Sequence, residues 1–207
     1  MRAATPMDSR APARYFDGEF KKEAVKILPG QYYAGTGDAV ITTVLGSCVS
    51  TCLWDPLERI GGMNHFMLPR DTAGPSPSWA ASARFGVYAM EVLINDMIHM
   101  GAGRHRLVAK VFGGARLLAG MGAMDVGAMN CAFVLEFLQT EGIRVLAQDL
   151  QDVCPRKIYF FPDTGTVKVK RLHLPPNDPV QRREREYLSN LSDKAGGGEI
   201  EIFSAPK

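Results

Sequence analysis

The pattern of apolar and polar positions along the chain predicts a mixture of strands and helices. Short runs rich in Val, Ile, Thr, Phe and Cys, each bounded by turn residues, predict strands at residues 39–45, 49–54 and 63–68. Further strands, the last two joined as a hairpin, are predicted at residues 106–112, 144–149, 157–161 and 166–172. Apolar residues at helical spacing predict helices at residues 80–99 and 130–140. This order favours an α/β or α+β fold with a mixed β-sheet.

The two ends of the chain lack this pattern. Residues 1–21 are rich in Ala, Pro and Arg without periodicity, so we expect a flexible N-terminal segment before a domain spanning residues 22–174. Residues 175–207 contain a Pro-Pro pair, a run of charges and a Gly triplet. We therefore expect a polar, mobile C-terminal tail that is dispensable for the chemistry.

Composition and charge narrow the function classes. With 207 residues, 46% of them hydrophobic, the chain can bury a sizeable core. Its net charge of only +2 favours neither a nucleic-acid nor a membrane-surface partner. The apolar stretches are shorter than a membrane span requires, and no secretory signal is evident. We therefore expect a cytoplasmic protein that does not insert into membranes.

The cysteine and histidine spacings argue against a metal site. The four cysteines are too few for a disulfide scaffold, and no pair has Cys-x-x-Cys spacing. The four histidines form no zinc-binding pattern with each other or with the cysteines. We expect no bound metal and free thiols at Cys48, Cys52, Cys131 and Cys154.

One cysteine and one histidine flank a predicted hairpin. If residues 55–58 form a four-residue turn, the antiparallel register pairs residues whose numbers sum to 113, so that Cys48 faces His65. Directly opposed residues have Cβ atoms about 4.5–5.5 Å apart, within reach of a thiol–imidazole hydrogen bond. A slip of one residue would place the two side chains on opposite faces, so the prediction depends on the turn.

A paired cysteine and histidine suits nucleophilic attack on an amide. The thiolate is the nucleophile, and His65 would be the base that generates it from Cys48. Thr42 or Thr43 could orient the imidazole, whereas Asn64 points to the other face of its strand. The alternative is structural: Cys48 would be a small buried apolar residue and His65 a core histidine with satisfied hydrogen bonds.

Several blocks of this sequence resemble the CheD family of chemoreceptor glutamine deamidases. The blocks are Ile-Leu-Pro-Gly-Gln-Tyr-Tyr at 27–33, Val-Leu-Gly-Ser-Cys-Val-Ser at 44–50, Gly-Gly-Met-Asn-His-Phe-Met-Leu-Pro at 61–69, Lys-Val-Phe-Gly-Gly-Ala at 110–115 and Pro-Arg-Lys at 155–157. The resemblance implies that Cys48 is the nucleophile, His65 the base, and Thr42, six residues before the cysteine, the third member of a triad. It also implies an α/β sandwich similar to the catalytic fold of the cytotoxic necrotizing factors.

The resemblance further implies an activity and partners. The expected reaction is hydrolysis of receptor glutamine side chains to glutamate through a thioester, without a cofactor, because nucleophile and acid–base are both side chains. Expected partners are methyl-accepting chemotaxis receptors and a CheC-type phosphatase. The alternative is a non-catalytic chemotaxis adaptor binding the same proteins. One block departs from the family: Ala128 and Met129 stand where Glu and Arg are expected, which bears on substrate choice or partner affinity.

Overall fold

A computed structural model describes residues 11–37, 39–68, 79–116, 126–172, 182, 186, 187, 189 and 190. This part of the chain contains ten strands, two α-helices and one short 3-10 helix, Arg104–Arg106. The strands are β1 (Ala13–Asp17), β2 (Lys22–Lys26), β3 (Tyr32–Thr36), β4 (Val40–Leu45), β5 (Val49–Asp55), β6 (Ile60–Asn64), β7 (Val108–Gly113), β8 (Arg144–Leu150), β9 (Arg156–Phe161) and β10 (Thr166–Arg171). The α-helices are α1 (Trp79–His99) and α2 (Val126–Thr140).

The strands form two five-stranded sheets, which confirms the expected mixed α+β fold. The outer sheet has the order β1-β2-β4-β9-β10, and the central sheet has the order β3-β6-β5-β7-β8. Pairing is parallel for β2 with β4 and for β7 with β8, and antiparallel for the other neighbours. Within the described ranges, no helix is long and apolar enough to cross a membrane.

Two apolar cores separate three layers of structure. The helix-side core joins α1 and α2 to the central sheet and includes Val49, Leu53, Met90, Leu93 and Phe133. The inter-sheet core lies between the two sheets and includes Ile41, Leu45, Cys48, Cys52, Met63, Met67, Ile158 and Phe160. The alternation of strand residues explains this division, because successive side chains of β5 enter opposite cores. The order of layers is therefore helices, central sheet, outer sheet.

The first strand corrects the expectation for the N-terminus. β1, Ala13–Asp17, lies within the segment expected to be flexible and pairs with β2 in an antiparallel ladder. Four of its five residues are exposed, so the strand has no apolar alternation that sequence analysis could detect. Backbone pairing along the edge of the outer sheet, rather than side-chain burial, holds this strand. The ordered part of the chain therefore begins before residue 22.

The hairpin between β5 and β6 differs from its predicted form. The predicted strand at residues 63–68 lies at Ile60–Asn64 instead, and Asp55 pairs with Ile60. The connection is therefore two residues longer than the assumed turn. The residue numbers of each cross-strand pair sum to 115 rather than 113. Its last residue, Arg59, has φ 54°, a left-handed conformation that closes the loop.

Asp55 holds this connection from its first position. Its carboxylate accepts hydrogen bonds from the backbone N–H groups of Leu57 and Gly103, at 3.0 and 2.8 Å, and from the guanidinium of Arg106. Burial by itself would raise the pKa of Asp55, but these hydrogen bonds outweigh it and lower that pKa to about 2. The longer loop is thus stabilised by an ionised carboxylate.

Two glycines let β6 lie close to both neighbouring layers. A Cβ on Gly61 would come within 2.8 Å of the Phe160 ring and of Pro162 Cα. A Cβ on Gly62 would come within 2.6 Å of Leu93 on α1. These close approaches need bare Cα atoms on both faces of the strand. The Gly-Gly pair, which resembles a turn signal in the sequence, is therefore part of a strand.

Among the few tail residues that the structure describes, Tyr187 contacts the domain. Arg182, Glu186 and Tyr187 are helical, and Tyr187 is half-buried against the inter-sheet core. Its hydroxyl lies 2.6 Å from where a Cβ on Gly30 would be, so the ring packs directly on the turn before β3. At Tyr187 the tail is therefore packed on the domain rather than separate from it.

Candidate functional site

The loop that carries Cys48 connects the outer sheet to the central sheet. It runs from Gly46 to Cys48 between β4 and β5, and each of its carbonyls accepts a hydrogen bond. Ala115 N–H donates to Gly46 O at 2.7 Å, the Asn130 side chain to Ser47 O at 2.9 Å, and Gly114 N–H to Cys48 O at 2.8 Å. The Cys48 loop, residues 46–48, is therefore held by hydrogen bonds to three successive carbonyls.

These contacts also define the role of the Gly-Gly-Ala corner after β7. The N–H groups of Gly114 and Ala115 donate to carbonyls of the Cys48 loop. They are therefore engaged in holding that loop rather than arranged as a phosphate-binding loop. This agrees with the absence of a dinucleotide or P-loop motif in the sequence.

His65 follows β6 and is held by both its backbone and its side chain. Its N–H donates to Gln31 O at 2.9 Å, and its carbonyl accepts from Gly30 N–H at 2.8 Å. Its ring Nδ1 lies 2.8 Å from Thr43 Oγ1. The turn before β3 and a side chain of the outer sheet thus fix the position and rotation of the imidazole.

The hydrogen bonds of Thr43 specify the protonation of the ring. Thr43 Oγ1 donates its single hydrogen to Ile27 O at 2.8 Å. The hydroxyl must therefore accept from His65, so Nδ1 carries a hydrogen. In the neutral ring that leaves Nε2 as the basic nitrogen. The imidazole is oriented to exchange a proton through Nε2.

Thr42 lies on the opposite face of β4, which corrects its expected contact with the imidazole. Its hydroxyl donates to Ile158 O at 2.9 Å. Thr43 has the same parity as Ile41 and Leu45, which face the inter-sheet core, whereas Thr42 alternates with them. The structure therefore gives Thr43 the contact that the resemblance assigned to Thr42. The contribution of either threonine to turnover stays a prediction.

The two-residue difference in register keeps Cys48 and His65 on one face. Val49 and Phe66 exchange two backbone hydrogen bonds of 3.0 Å, so His65 lies opposite Ser50 and Cys48 opposite Met67. Cys48 and His65 are thus diagonal rather than direct neighbours, which corresponds to a Cβ separation of about 7–8 Å in a regular ladder. Because side chains alternate with a period of two, the longer hairpin preserves the shared face.

The three side chains lie within a closed, mostly apolar layer. Cys48 is 0% exposed, His65 1% and Thr43 2%. Cys52, on the same face of β5, is 1% exposed, and burial raises the pKa of its thiol far above the ordinary value. In such surroundings a polar side chain needs a hydrogen-bond partner, which Thr43 provides for His65.

Arg156, at the start of β9, binds residues at the end of β8 and just after it, next to the corner that follows β7. The sequence alone did not indicate a role for it in the site. It is fully buried and donates to the Asp149 carboxylate at 2.9 Å and to the carbonyl of Gln151. Gln151 N–H in turn donates to Gly113 O at 2.7 Å, next to the corner that holds the Cys48 loop. Burial lowers the pKa of Arg156 although nearby carboxylates raise it. The available signals were a basic residue at the start of a predicted strand and its place in the Pro-Arg-Lys block at 155–157.

Asn130 is the second residue whose role the sequence did not predict. It is fully buried on α2, and its side chain bonds to Ser47 O and to Leu68 N–H. The adjacent Ala128 and Met129, which depart from the expected family pattern, are half-buried. The signals for Asn130 were a polar residue among apolar positions of a helix and its place in the block where Ala128 and Met129 depart from the family pattern. Among the residues the structure describes, no three His, Cys, Asp or Glu side chains form a metal-binding group.

Fold and site together define a layered α+β protein with a cysteine and an oriented histidine enclosed between two sheets. The family described as CheD chemotactic sensory transduction matches residues 67–171. A protein of Shewanella oneidensis, named probable chemoreceptor glutamine deamidase CheD 1, is 49% identical over 192 residues, 93% of each chain. The protein of that name from Dechloromonas aromatica is 52% identical over 193 residues, 93% of this chain and 95% of the relative. The chain therefore belongs to the CheD family.

Two further similarities complete the comparison. A probable chemoreceptor glutamine deamidase CheD of Herminiimonas arsenicoxydans is 51% identical over 190 residues, 92% of this chain and 94% of the relative. A solved structure from Neisseria meningitidis is 15% identical and covers 59% of this chain and 53% of its own, with a TM-score of 0.36. That structural likeness carries no inference about activity.

Proposed function

We propose that this protein is a chemoreceptor glutamine deamidase with Cys48 as nucleophile, His65 as acid–base and Thr43 as the residue that orients His65. The observation that carries the proposal is the hydrogen bond of 2.8 Å between Thr43 Oγ1 and His65 Nδ1. It holds the imidazole on the face of the central sheet that also bears Cys48. The relatives named as probable chemoreceptor glutamine deamidases support the same activity for this chain.

The chemistry follows from these groups. The Cys48 thiolate attacks the carboxamide carbon of a glutamine, and as the C–N bond breaks, the imidazolium of His65 protonates the leaving nitrogen, which departs as ammonia. Water then attacks the thioester while His65 Nε2 accepts its proton, and Cys48 leaves as the thiolate. The sum is glutamine plus water giving glutamate plus ammonia, so no redox step or cofactor is needed.

Burial of the site adds a requirement for substrate entry. Cys48 and His65 are 0% and 1% exposed, so a receptor side chain reaches them only after covering residues move. Closure of this kind excludes water until the substrate is bound, which protects the thiolate and strengthens electrostatic contacts. Glutamine has a long, unbranched side chain that can enter a narrow opening while the receptor helix stays outside.

Partner binding is a separate part of the proposal. Cytoplasmic chemoreceptor helices are the proposed substrates, and a CheC-type phosphatase is the proposed regulatory partner. The half-buried Ala128 and Met129 at the start of α2 replace the charged residues expected there. We expect this replacement to affect recognition of receptor or phosphatase rather than the reaction at Cys48.

Mass spectrometry of co-expressed receptors tests the proposed function. Conversion of glutamine to glutamate adds about 1 Da to a receptor peptide, as expected for hydrolysis of an amide. We expect this gain with the natural protein and with Cys52→Ala, a buried cysteine on the same strand face, but not with Cys48→Ala. Receptors that bind Cys48→Ala normally and are never deamidated by the natural protein would support the adaptor hypothesis instead.

A further inference from the structure

We propose that Asn130 is a positioning residue that sets the distance between the Cys48 loop and the segment after β6 that carries His65, an inference that rests on the proposed function. Its Nδ2 donates to Ser47 O at 2.9 Å, and its Oδ1 accepts from Leu68 N–H at 2.8 Å. Ser47 directly precedes Cys48, and Leu68 lies three residues after His65. One side-chain amide thus joins the two segments that carry the proposed chemistry.

The ladder between β5 and β6 shows what this amide replaces. Val49 and Phe66 form a pair that exchanges two hydrogen bonds of 3.0 Å. In an antiparallel ladder such pairs recur at every second residue, so the next pair would be Ser47 with Leu68. There, Leu68 N–H donates to Asn130 Oδ1, and Ser47 O accepts from Asn130 Nδ2. The carboxamide therefore stands between the two strands as an inserted amide group.

This insertion separates the strands at the site. In a regular ladder, one direct hydrogen bond of about 2.9 Å would join the two backbones at this pair. Here the backbones are joined by two hydrogen bonds with an amide group between them. Cys48 lies between Val49, where the strands are paired, and Ser47, where they are held apart. His65 is adjacent to the paired residue Phe66. The position of the thiol relative to the imidazole is therefore set by the amide of Asn130.

The residue type matches this task. The position requires one donor and one acceptor on a single planar group, which asparagine supplies. Aspartate of the same shape keeps the acceptor but, when ionised, places a negative oxygen against Ser47 O. Leucine has a similar size and offers neither group. Asparagine is an unfavourable residue within a helix, so its buried place on α2 calls for such a compensating interaction.

The test compares Asn130→Leu and Asn130→Asp with the natural protein and with Asn64→Asp. Asn64 is an equally buried asparagine that accepts from Thr51 N–H and donates to Ala89 O on the helix side of the sheet. It controls for the loss of a buried amide as such. The first measurement is the pH dependence of iodoacetamide labelling of Cys48, followed by peptide mapping with Cys154 as internal reference. The second is kcat and KM for receptor deamidation, with Tm recorded for each variant.

We expect Asn130→Leu to move the labelling midpoint of Cys48 upwards, because the thiol loses its alignment with the imidazole. We expect kcat to fall at least about tenfold with KM changed by less than about threefold, as for loss of transition-state positioning. For Asn130→Asp, activity relative to the natural protein should rise as pH falls, since the protonated carboxyl can again donate to Ser47 O. Asn64→Asp should lower Tm and leave the labelling midpoint unchanged.

The possible outcomes separate this inference from the proposed function. A lowered Tm with an unchanged labelling midpoint and kcat in both Asn130 variants would show that Asn130 is only structural. An equal shift of the midpoint in Asn64→Asp would also overturn the positioning role. If the natural protein labels Cys48 with the same midpoint as Cys154, thiolate activation itself fails, and both proposals fall together. Deamidation without any effect of the Asn130 variants would leave the proposed function standing and remove this inference alone.

Discussion

The two faces of the central sheet differ in what they bury. On the helix side, Val49 and Leu53 pack with Leu93 and its neighbours in a continuous apolar core. On the inter-sheet side, Cys48 directly before β5 and His65 directly after β6 face the outer sheet. The difference shows how alternation along a strand separates tasks: the helix side packs the strands against α1 and α2, and the inter-sheet side holds Cys48 and His65, whose geometry depends on specific hydrogen bonds.

The largest expected effect distinguishes two cysteines within the inter-sheet face. Cys48 and Cys52 are equally buried, but burial raises the pKa of Cys52, whereas Cys48 has the proposed imidazole partner. Because alkylation follows the thiolate fraction, we expect iodoacetamide to label Cys48 more than about a hundredfold faster than Cys52 near neutral pH. Brief labelling and peptide mapping measure both rates, with Cys131 and Cys154 as further references. Equal rates would contradict activation of Cys48.

The next effect separates the two threonines of β4. Thr43→Val removes the hydroxyl that bonds to His65 Nδ1, whereas Thr42→Val removes one that bonds to Ile158 O on the opposite face. We expect Thr43→Val to lower the deamidation rate about 10- to 100-fold, as for loss of an orienting partner. Thr42→Val should stay within about threefold of the natural rate. Initial rates on a co-purified receptor decide this, and the reverse order would restore Thr42 as the orienting residue.

A truncation in the helix-side core should affect stability instead of chemistry. Leu93 is fully buried on α1 and contacts the central sheet near Gly62. Leu93→Ala should lower the free energy of unfolding by about 2–5 kcal/mol, because it removes apolar contacts and leaves a cavity. Urea unfolding measures this change. With the fraction of folded protein known, the rate per folded molecule should stay within about twofold, and a larger loss would show that the faces are coupled.

The smallest expected effect concerns the tail. A chain ending at Pro175 loses the contact of the Tyr187 ring with the inter-sheet core and the turn at Gly30. Because only this half-buried ring is lost from the described packing, we expect a stability decrease of about 1 kcal/mol, equivalent to a Tm lower by about 2–4 °C. Most of the deamidation activity should remain.

A matched variant refines the test of the tail. Tyr187→Ala in the full chain should reproduce the Tm change of the truncated chain if this contact is what the tail contributes. Since Gly30 N–H bonds to the carbonyl of His65, loss of most activity in both proteins would show that the tail helps to hold the base. That result would overturn the expectation that the tail is dispensable.

Local pattern predicted much of the fold. The helix expected at residues 80–99 is α1, Trp79–His99, and the final hairpin is formed by β9 and β10. Periodicity and turn residues suffice for such elements because they are stabilised by neighbours in sequence. The edge strand β1 was missed because its residues are exposed and its stability comes from pairing with β2.

Within the candidate site, the sequence predicted only the pair that flanks one hairpin, Cys48 and His65. The sequence by itself placed Cys48 and His65 on one face, and this held although the hairpin was two residues longer, because side-chain direction repeats every second residue. Only the tertiary structure decided that Thr43 rather than Thr42 meets His65, since that contact depends on which face of the outer sheet turns inwards. The bonds of Asn130 to Ser47 and Leu68 likewise join residues 83 and 62 positions apart. Contacts between layers are set by how whole sheets and helices pack, and a local pattern carries no information about that packing.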